Sequence, residues 1–197
     1  MQKQDKPIII AICGKSATGK NVLLTWLLSM ARATGFSIAP IVSDTTRPPR
    51  PFEQDKIDYN FLTDNDFHYK INNEDYLEYS SFNGWFYGTD KTSIDLNIIN
   101  VGIFNLDGMS SLANYQNNFK IICVYLECNL FERLIRSYQR EGVFKLEYLR
   151  RAYTDYRDFK NVTDVLNRFS KKFIFDSSKI STVSMVDHIL WQLRNLD

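Results

Sequence analysis

The residues with the clearest chemistry run from Gly14 to Lys20, G-K-S-A-T-G-K, followed by Asn21. They fit G-x-x-x-x-G-K, a pattern that ordinarily continues with Ser or Thr. Gly14 and Gly19 can adopt backbone angles closed to other residues. The N–H groups of Lys15, Ser16, Ala17 and Thr18 can then turn inward around an anion. Lys20 adds a full positive charge at the same spot, which is chemistry for holding a phosphate chain. The blander reading is a glycine turn with a solvent-facing lysine. A second cluster is S-D-T-T-R-P-P-R-P at 43–51. Its prolines prevent a helix and hold an extended loop from which Arg47 and Arg50 project. A guanidinium held in place loses less entropy when it takes an oxyanion, although two arginines on a loop can also be ordinary surface charges. A third cluster is the run Arg133, Arg136, Arg140, Arg150 and Arg151, concentrated in a strongly charged helical stretch that on its own terms is an ordinary charged helix pair. Glu78 stands alone in the middle of an alternating aromatic stretch and, on its own terms, reads as a solvent-facing strand residue.

These groups need elements to aim them. The apolar run 7–13 reads as a buried strand, and the leucine-rich segment after Lys20 as a helix to about Thr34, stopped by Gly35. That helix directs its positive end at the loop. Strands are expected at 36–42, 57–62, 76–82, 85–88, 101–106, 120–126 and 173–175. A short helix should follow Thr63 or Asp64 through His68, and another should run from Thr89 or Asp90 to about Ile98. Asn83-Gly84 is a hairpin turn signal. Asp107 is placed at the C-terminal end of the strand at 101–106, where ligands of parallel sheets sit. Residues 129–161 should be helical and charged, broken at Glu141-Gly142, with a final helix at 185–196. Strands alternating with helices give an α/β fold with a parallel sheet.

The chain has 197 residues, 44% of them hydrophobic, enough for a sizeable core. A formal net charge of +1 offers no bulk attraction to nucleic acid or a membrane surface, so anion binding must come from local clusters. Three cysteines without framework spacing and two histidines argue against a disulfide scaffold and a structural zinc site. A polar start running straight into a strand, with no apolar run long enough for a bilayer, leads us to expect a cytoplasmic protein.

Taken together, S-D-T-T-R-P-P-R, D-Y-N-F at 58–61, Y-L-E-Y at 76–79 and N-G-W-F-Y-G-T at 83–89 resemble the guanylate kinases, and the resemblance extends over nearly the full length. It implies a P-loop NTPase-type parallel sheet with flanking helices, formed by residues 1–42, 99–131 and 165–197. It also implies an inserted small mixed α/β GMP-binding lobe at 43–98 and a helical lid with its connecting helices at 132–164. The implied reaction is Mg²⁺-dependent transfer of the ATP γ-phosphoryl group to GMP or dGMP. By the same resemblance, residues 14–21 and Arg133 hold ATP. Arg47, Arg50, Tyr59 and Tyr87 hold the GMP phosphate, while Ser43, Glu78 and Thr89 read the base and Asp107 assists. Lys20, Arg47, Arg140 and Arg151 serve catalysis, and Asn21, with Asp107 through water, attends the metal.

The sequence departs from the family's pattern at several points. Asn21 replaces a Ser or Thr, Ala17 a glycine, Val22 a Thr, and Asn105 stands where a second acid is common. The segment Phe52–Lys56 lacks the usual glycines. These changes cluster on the donor side. They leave open a guanylate-kinase-like binding module weakened as a kinase, and a P-loop kinase for another phosphorylated acceptor. Against the binding module stands the retained Lys20. Oligomeric state is open.

Overall fold

The computed structural model describes residues 6–51, 53–82, 84–142 and 146–196. Nine strands and seven α-helices are assigned among them. Five strands, β1 (Ile8–Gly14), β2 (Ile38–Pro40), β7 (Ile99–Ile103), β8 (Lys120–Glu127) and β9 (Lys171–Asp176), form one sheet in the order β2-β7-β1-β8-β9. Every neighbouring pair is parallel, with Ile10 of β1 between Val101 and Ile122. A parallel sheet needs cover on both faces, so its central strands are near-continuous apolar runs. One face packs on α1 (Lys20–Ala33) and α7 (Thr182–Arg194) through Leu23, Leu27, Met185 and Ile189. The other packs on α3 (Leu106–Leu112) and α6 (Val162–Asn167) through Met109, Leu112, Val165 and Leu166. Cys13 and Cys123 are buried in this core, and burial pushes the Cys13 thiol up to about 12, so it behaves as a small apolar residue.

The second sheet joins β4 (Asn60–Phe61), β3 (Asp44–Thr45), β6 (Trp85–Asp90) and β5 (Tyr76–Phe82) in the order β4-β3-β6-β5, beside α2 (Asp64–Asn72). It is held from behind by a buried polar cluster. Lys70 Nζ donates to Asp44 (2.6 Å) and Asp90 (2.7 Å), while Tyr76 Oη (2.9 Å) and Asn60 Nδ2 (2.8 Å) also donate to Asp44, which is fully buried. A buried carboxylate is tolerated only when its lone pairs are taken up in this way. Two helices, α4 (Leu130–Glu141) and α5 (Leu146–Asp158), reach the loop that follows β1 through Arg133 and Asp155, both of which bond Ser16.

Some elements differ from those expected. Asn60–Phe61 is all of the strand expected at 57–62, because an isolated bridge joins Asp55 to Tyr59 and the chain turns between them. The second strand shrinks to Ile38–Pro40, while α2, capped by Thr63, runs on to Asn72. Asp90 does cap a turn, but only the short 3₁₀ turn Lys91–Ser93. No longer helix forms there because buried Asn100 takes the carbonyls of Asp95 (2.7 Å) and Ile98 (3.1 Å) and accepts from the Asp95 N–H (2.9 Å). Gly84 turns the hairpin with φ +82°, and its partner Asn83 lies outside the described residues, as does Phe52.

Candidate functional site

The loop from Gly14 to Gly19 joins β1 to α1. Gly14 has no room for a side chain, since a Cβ there would stand 2.6 Å from the Leu126 carbonyl oxygen. Gly19, at φ +95°, caps α1 in the left-handed region. Ala17 also lies there, at φ +61°, a conformation that costs a non-glycine residue about 1–2 kcal/mol. The reward is a turned-in backbone. Among the described residues, the N–H groups of Ala17, Thr18 and Gly19 donate to no protein acceptor. Lys20 Nζ is folded onto the loop's own carbonyls, Gly14 O (2.6 Å) and Lys15 O (2.9 Å), and burial lowers its pKa.

Three cavities meet at this loop, and Ser16 and Arg50 line all three. The first, about 570 Å³, lies between the loop, α1 and the helices α4 and α5. Its walls carry Lys20, Arg50, Arg133, Arg136, Arg140 and Arg151 and, among the described residues, no carboxylate, which suits it to a polyanion. Arg133, Arg140 and Arg151 were singled out for this place, whereas Arg136 was named only as a member of the same cluster. Its guanidinium donates to Ser177 O (2.7 Å) and Ser177 Oγ (3.1 Å), pinning α4 to the loop after β9.

The second cavity, about 250 Å³, lies toward the small lobe and brings together Ser43, Tyr59, Glu78, Ser80, Tyr87 and Asn105 with Lys20. Glu78 is only 8% exposed. Thr89 Oγ1 donates to its Oε1 (2.6 Å), and a Cβ on Gly108 would come within 2.6 Å of its Oε2. Burial raises its pKa to about 7, against the pull of the Thr89 hydrogen bonds. Thr89, expected to face a base directly, is fully buried and lines none of the cavities, and its link to them is the hydrogen bond to Glu78. The structure does not bring Asp107 to the site. Strand β7 ends at Ile103, Asn105 caps α3, and Asp107 falls in the first turn, exposed and outside all the cavity walls. Asn105 faces the cavity instead, donating to Ser80 Oγ (2.7 Å) and accepting from Gly108 N (2.8 Å). Ser80 went unassigned from sequence, although strand alternation places it on the same face as Glu78.

The third cavity, about 340 Å³, carries Arg47, Arg50, Trp85, Tyr87, Glu147, Arg150 and Arg151. Arg47 is fixed by more than prolines. Its Nη2 donates to both oxygens of Glu53 (3.0 Å each), its Nη1 to Pro48 O (2.7 Å), and its guanidinium lies over the rings of Tyr59 and Phe61. The same Glu53 accepts from the Arg50 N–H (2.7 Å), so one carboxylate organises both arginines of the loop. Burial pushes the Tyr59 hydroxyl pKa up, keeping it a neutral donor.

A metal ion would find few ligands here. Asn21 lines the first cavity, Asp107 lines none, and no group of three or more His, Cys, Asp or Glu side chains able to hold an ion occurs among the described residues. The donor set suits a cation carried in by its phosphates, with the Asn21 amide as an oxygen ligand.

Comparison with known proteins follows the same lines. The model of the family described as guanylate kinase matches residues 4–154. The guanylate kinase of Onion yellows phytoplasma (strain OY-M) is 39% identical over 94 residues, which are 48% of this chain and 43% of that protein, so the match spans less than half of that relative. The guanylate kinase of Gloeobacter violaceus is 29% identical over 188 residues, 93% of this chain and 87% of that protein. The crystal structure of guanylate kinase from Anaplasma phagocytophilum superposes with a TM-score of 0.66 at 16% identity, covering 97% of this chain and 86% of that one, which shows the shared fold.

Proposed function

The chain belongs to the guanylate kinase family, and from that premise we propose that it transfers the γ-phosphoryl group of ATP to GMP or dGMP, giving ADP and GDP. The observation that carries the reading is Glu78, a buried carboxylate at the wall of a cavity that also holds Lys20 of the phosphate loop. Guanine presents N1–H and an exocyclic amine on one edge, and one carboxylate accepts both, a pairing adenine does not supply. Ser43, on the same wall, donates to the guanine O6.

In this reading the lobe from 43 to 98 binds the acceptor. Arg47, Arg50, Tyr59 and Tyr87 hold its phosphate, with Arg50 reaching toward the donor cavity as well. The free N–H groups of Ala17, Thr18 and Gly19 cradle the donor phosphates, and Lys20 exchanges the loop carbonyls for phosphate oxygens. The helices from 132 to 164 act as the lid. Arg133, Arg140 and Arg151 spread the charge of the transferring group, and closure excludes water that would otherwise hydrolyse ATP. Phosphoryl transfer asks the protein for alignment and charge neutralisation, and the acceptor oxygen is already an anion, so no general base is needed. Mg²⁺ bound to ATP, near Asn21, would supply further neutralisation of the phosphate charge.

Asn21 and the displaced Asp107 favour, as a second reading, a guanine-nucleotide-binding protein of weak kinase activity. Calorimetry with GMP, AMP and ATP separately, joined to a coupled ADP-release assay across the four nucleoside monophosphates, tests both. GMP binding without AMP binding, and ADP release with GMP alone, is the expected result. GMP binding without ADP release would select the second reading. No uptake of GMP at millimolar concentration, or turnover of AMP at a comparable rate, would overturn the assignment of the acceptor.

A further inference from the structure

Asp155 belongs to α5, yet its carboxylate lies on the phosphate loop. It is 3% exposed. It accepts from the Ser16 N–H (3.1 and 3.3 Å to its two oxygens), from Ser16 Oγ (3.1 Å) and from the guanidinium of Arg133. Arg133 in turn donates through Nε to the Ser16 carbonyl (2.7 Å). A backbone N–H of an anion-binding loop, a hydroxyl and a guanidinium are a set of donors suited to a phosphate oxygen. Here a side chain of the same protein has taken them.

The position of this carboxylate separates the two ends of the loop. Ala17 and Gly19 face the donor cavity and their N–H groups are free. Ser16, at the other end, stands where the three cavities join, and Asp155 lines the acceptor cavity beside Lys20 and Glu78 rather than the donor cavity. A diphosphate cradled by the free N–H groups need not touch Asp155. The third phosphate of ATP must face the acceptor, and so arrives at Ser16 and Arg133. Two anions in contact in a partly desolvated site repel strongly.

We propose that Asp155 occupies the place of the transferring phosphoryl group until a triphosphate displaces it, so that this carboxylate sets the selectivity between ATP and ADP and makes the position of α5 depend on the number of phosphates bound. The proposal rests on the kinase reading above. Withdrawal of Asp155 requires α5 to lift from the loop, which couples lid movement to the third phosphate and leaves ADP binding unaffected. After transfer the carboxylate returns to Ser16 and Arg133.

The test is calorimetric titration of ATP and ADP, without GMP, into the unmodified protein and the D155N and D155E variants. In the unmodified protein ADP is expected to bind at least as tightly as ATP, in spite of the cationic cavity. D155N removes the charge and keeps an acceptor for Ser16. It should tighten ATP about tenfold, the scale of one relieved like-charge contact, while ADP stays within about twofold. D155E keeps the charge and should keep the unmodified ratio. Equal weakening of both nucleotides in D155N would make Asp155 a strut and overturn the proposal. Selective loss of ATP, or an unmodified protein that prefers ATP by more than about tenfold, would overturn it too. Failure of the unmodified protein to bind either nucleotide would remove the kinase reading and this inference together, whereas normal binding with an unchanged ratio removes the inference alone.

Discussion

Lowering the pH should weaken GMP binding through Glu78, and the size of the effect follows from its surroundings. Its carboxyl titrates at about 7 in the empty cavity because burial disfavours the charge. Guanine's two donors pair only with the carboxylate, so the apparent dissociation constant carries a factor of one plus the ratio of protonated to ionised forms. That factor is about 1.1 at pH 8, about 2 at pH 7 and about 11 at pH 6. Affinity should therefore fall roughly tenfold from pH 8 to pH 6, with about 0.9 proton released on binding at pH 6. Calorimetry in buffers of different ionisation enthalpy reads both quantities. The phosphate of GMP also titrates near this range, so guanosine and the E78Q variant serve as controls. E78Q should bind GMP more weakly at pH 8 and lose the carboxyl's share of the proton release. Stability moves the opposite way. The folded pKa lies above the unfolded one, so the native state holds the extra proton between about pH 4.5 and pH 7, and stability is lost as pH rises through that window. At pH 8, without ligand, E78Q should be more stable than the native chain by up to about 3 kcal/mol in urea unfolding. Guanosine affinity independent of pH from 6 to 8, with no proton release, would refute the placement of the base on Glu78.

Other substitutions probe the supports of the site. Gly108→Ala sets a Cβ where the Glu78 carboxylate now lies, 2.6 Å from Oε2. It should raise the GMP dissociation constant about tenfold or more, with ATP binding nearly unchanged, in parallel titrations. Lys70→Met leaves Asp44 buried without its cation, and chemical denaturation should show a loss of about 3 kcal/mol. Asn21→Ser restores a compact hydroxyl ligand beside the phosphates, and steady-state kinetics should show the KM for Mg–ATP falling about threefold or more; unchanged KM and kcat would dismiss a role for Asn21 in metal handling.

Much of the large sheet could be read from sequence because its strands are unbroken apolar runs. The loop from Gly14 to Lys20 was legible because glycine and lysine there have few other uses. The small lobe was harder. Its strands are two to seven residues long, and they are held by partners far along the chain, such as the Thr45 hydroxyl donating to the Phe86 carbonyl. Glu78 and Ser43 were found through motif resemblance, whereas Asp155 was not assigned, since nothing local shows that a helix acid will meet a loop over a hundred residues away. Glu53, only six residues from Arg47 and three from Arg50, was also left unassigned, because the bend that turns it back on both is not written in residue types. Asp107 was misplaced because periodicity locates a strand's end only to within two or three residues, and here α3 starts at Leu106.

Ser16 and Arg50 belong to the walls of all three cavities. Neither side chain can then be assigned to one substrate, and an alteration at either position should register in donor and acceptor constants at once. The two saturation curves of such a variant would shift in concert, and the order in which nucleotides load would be written into the same pair of residues.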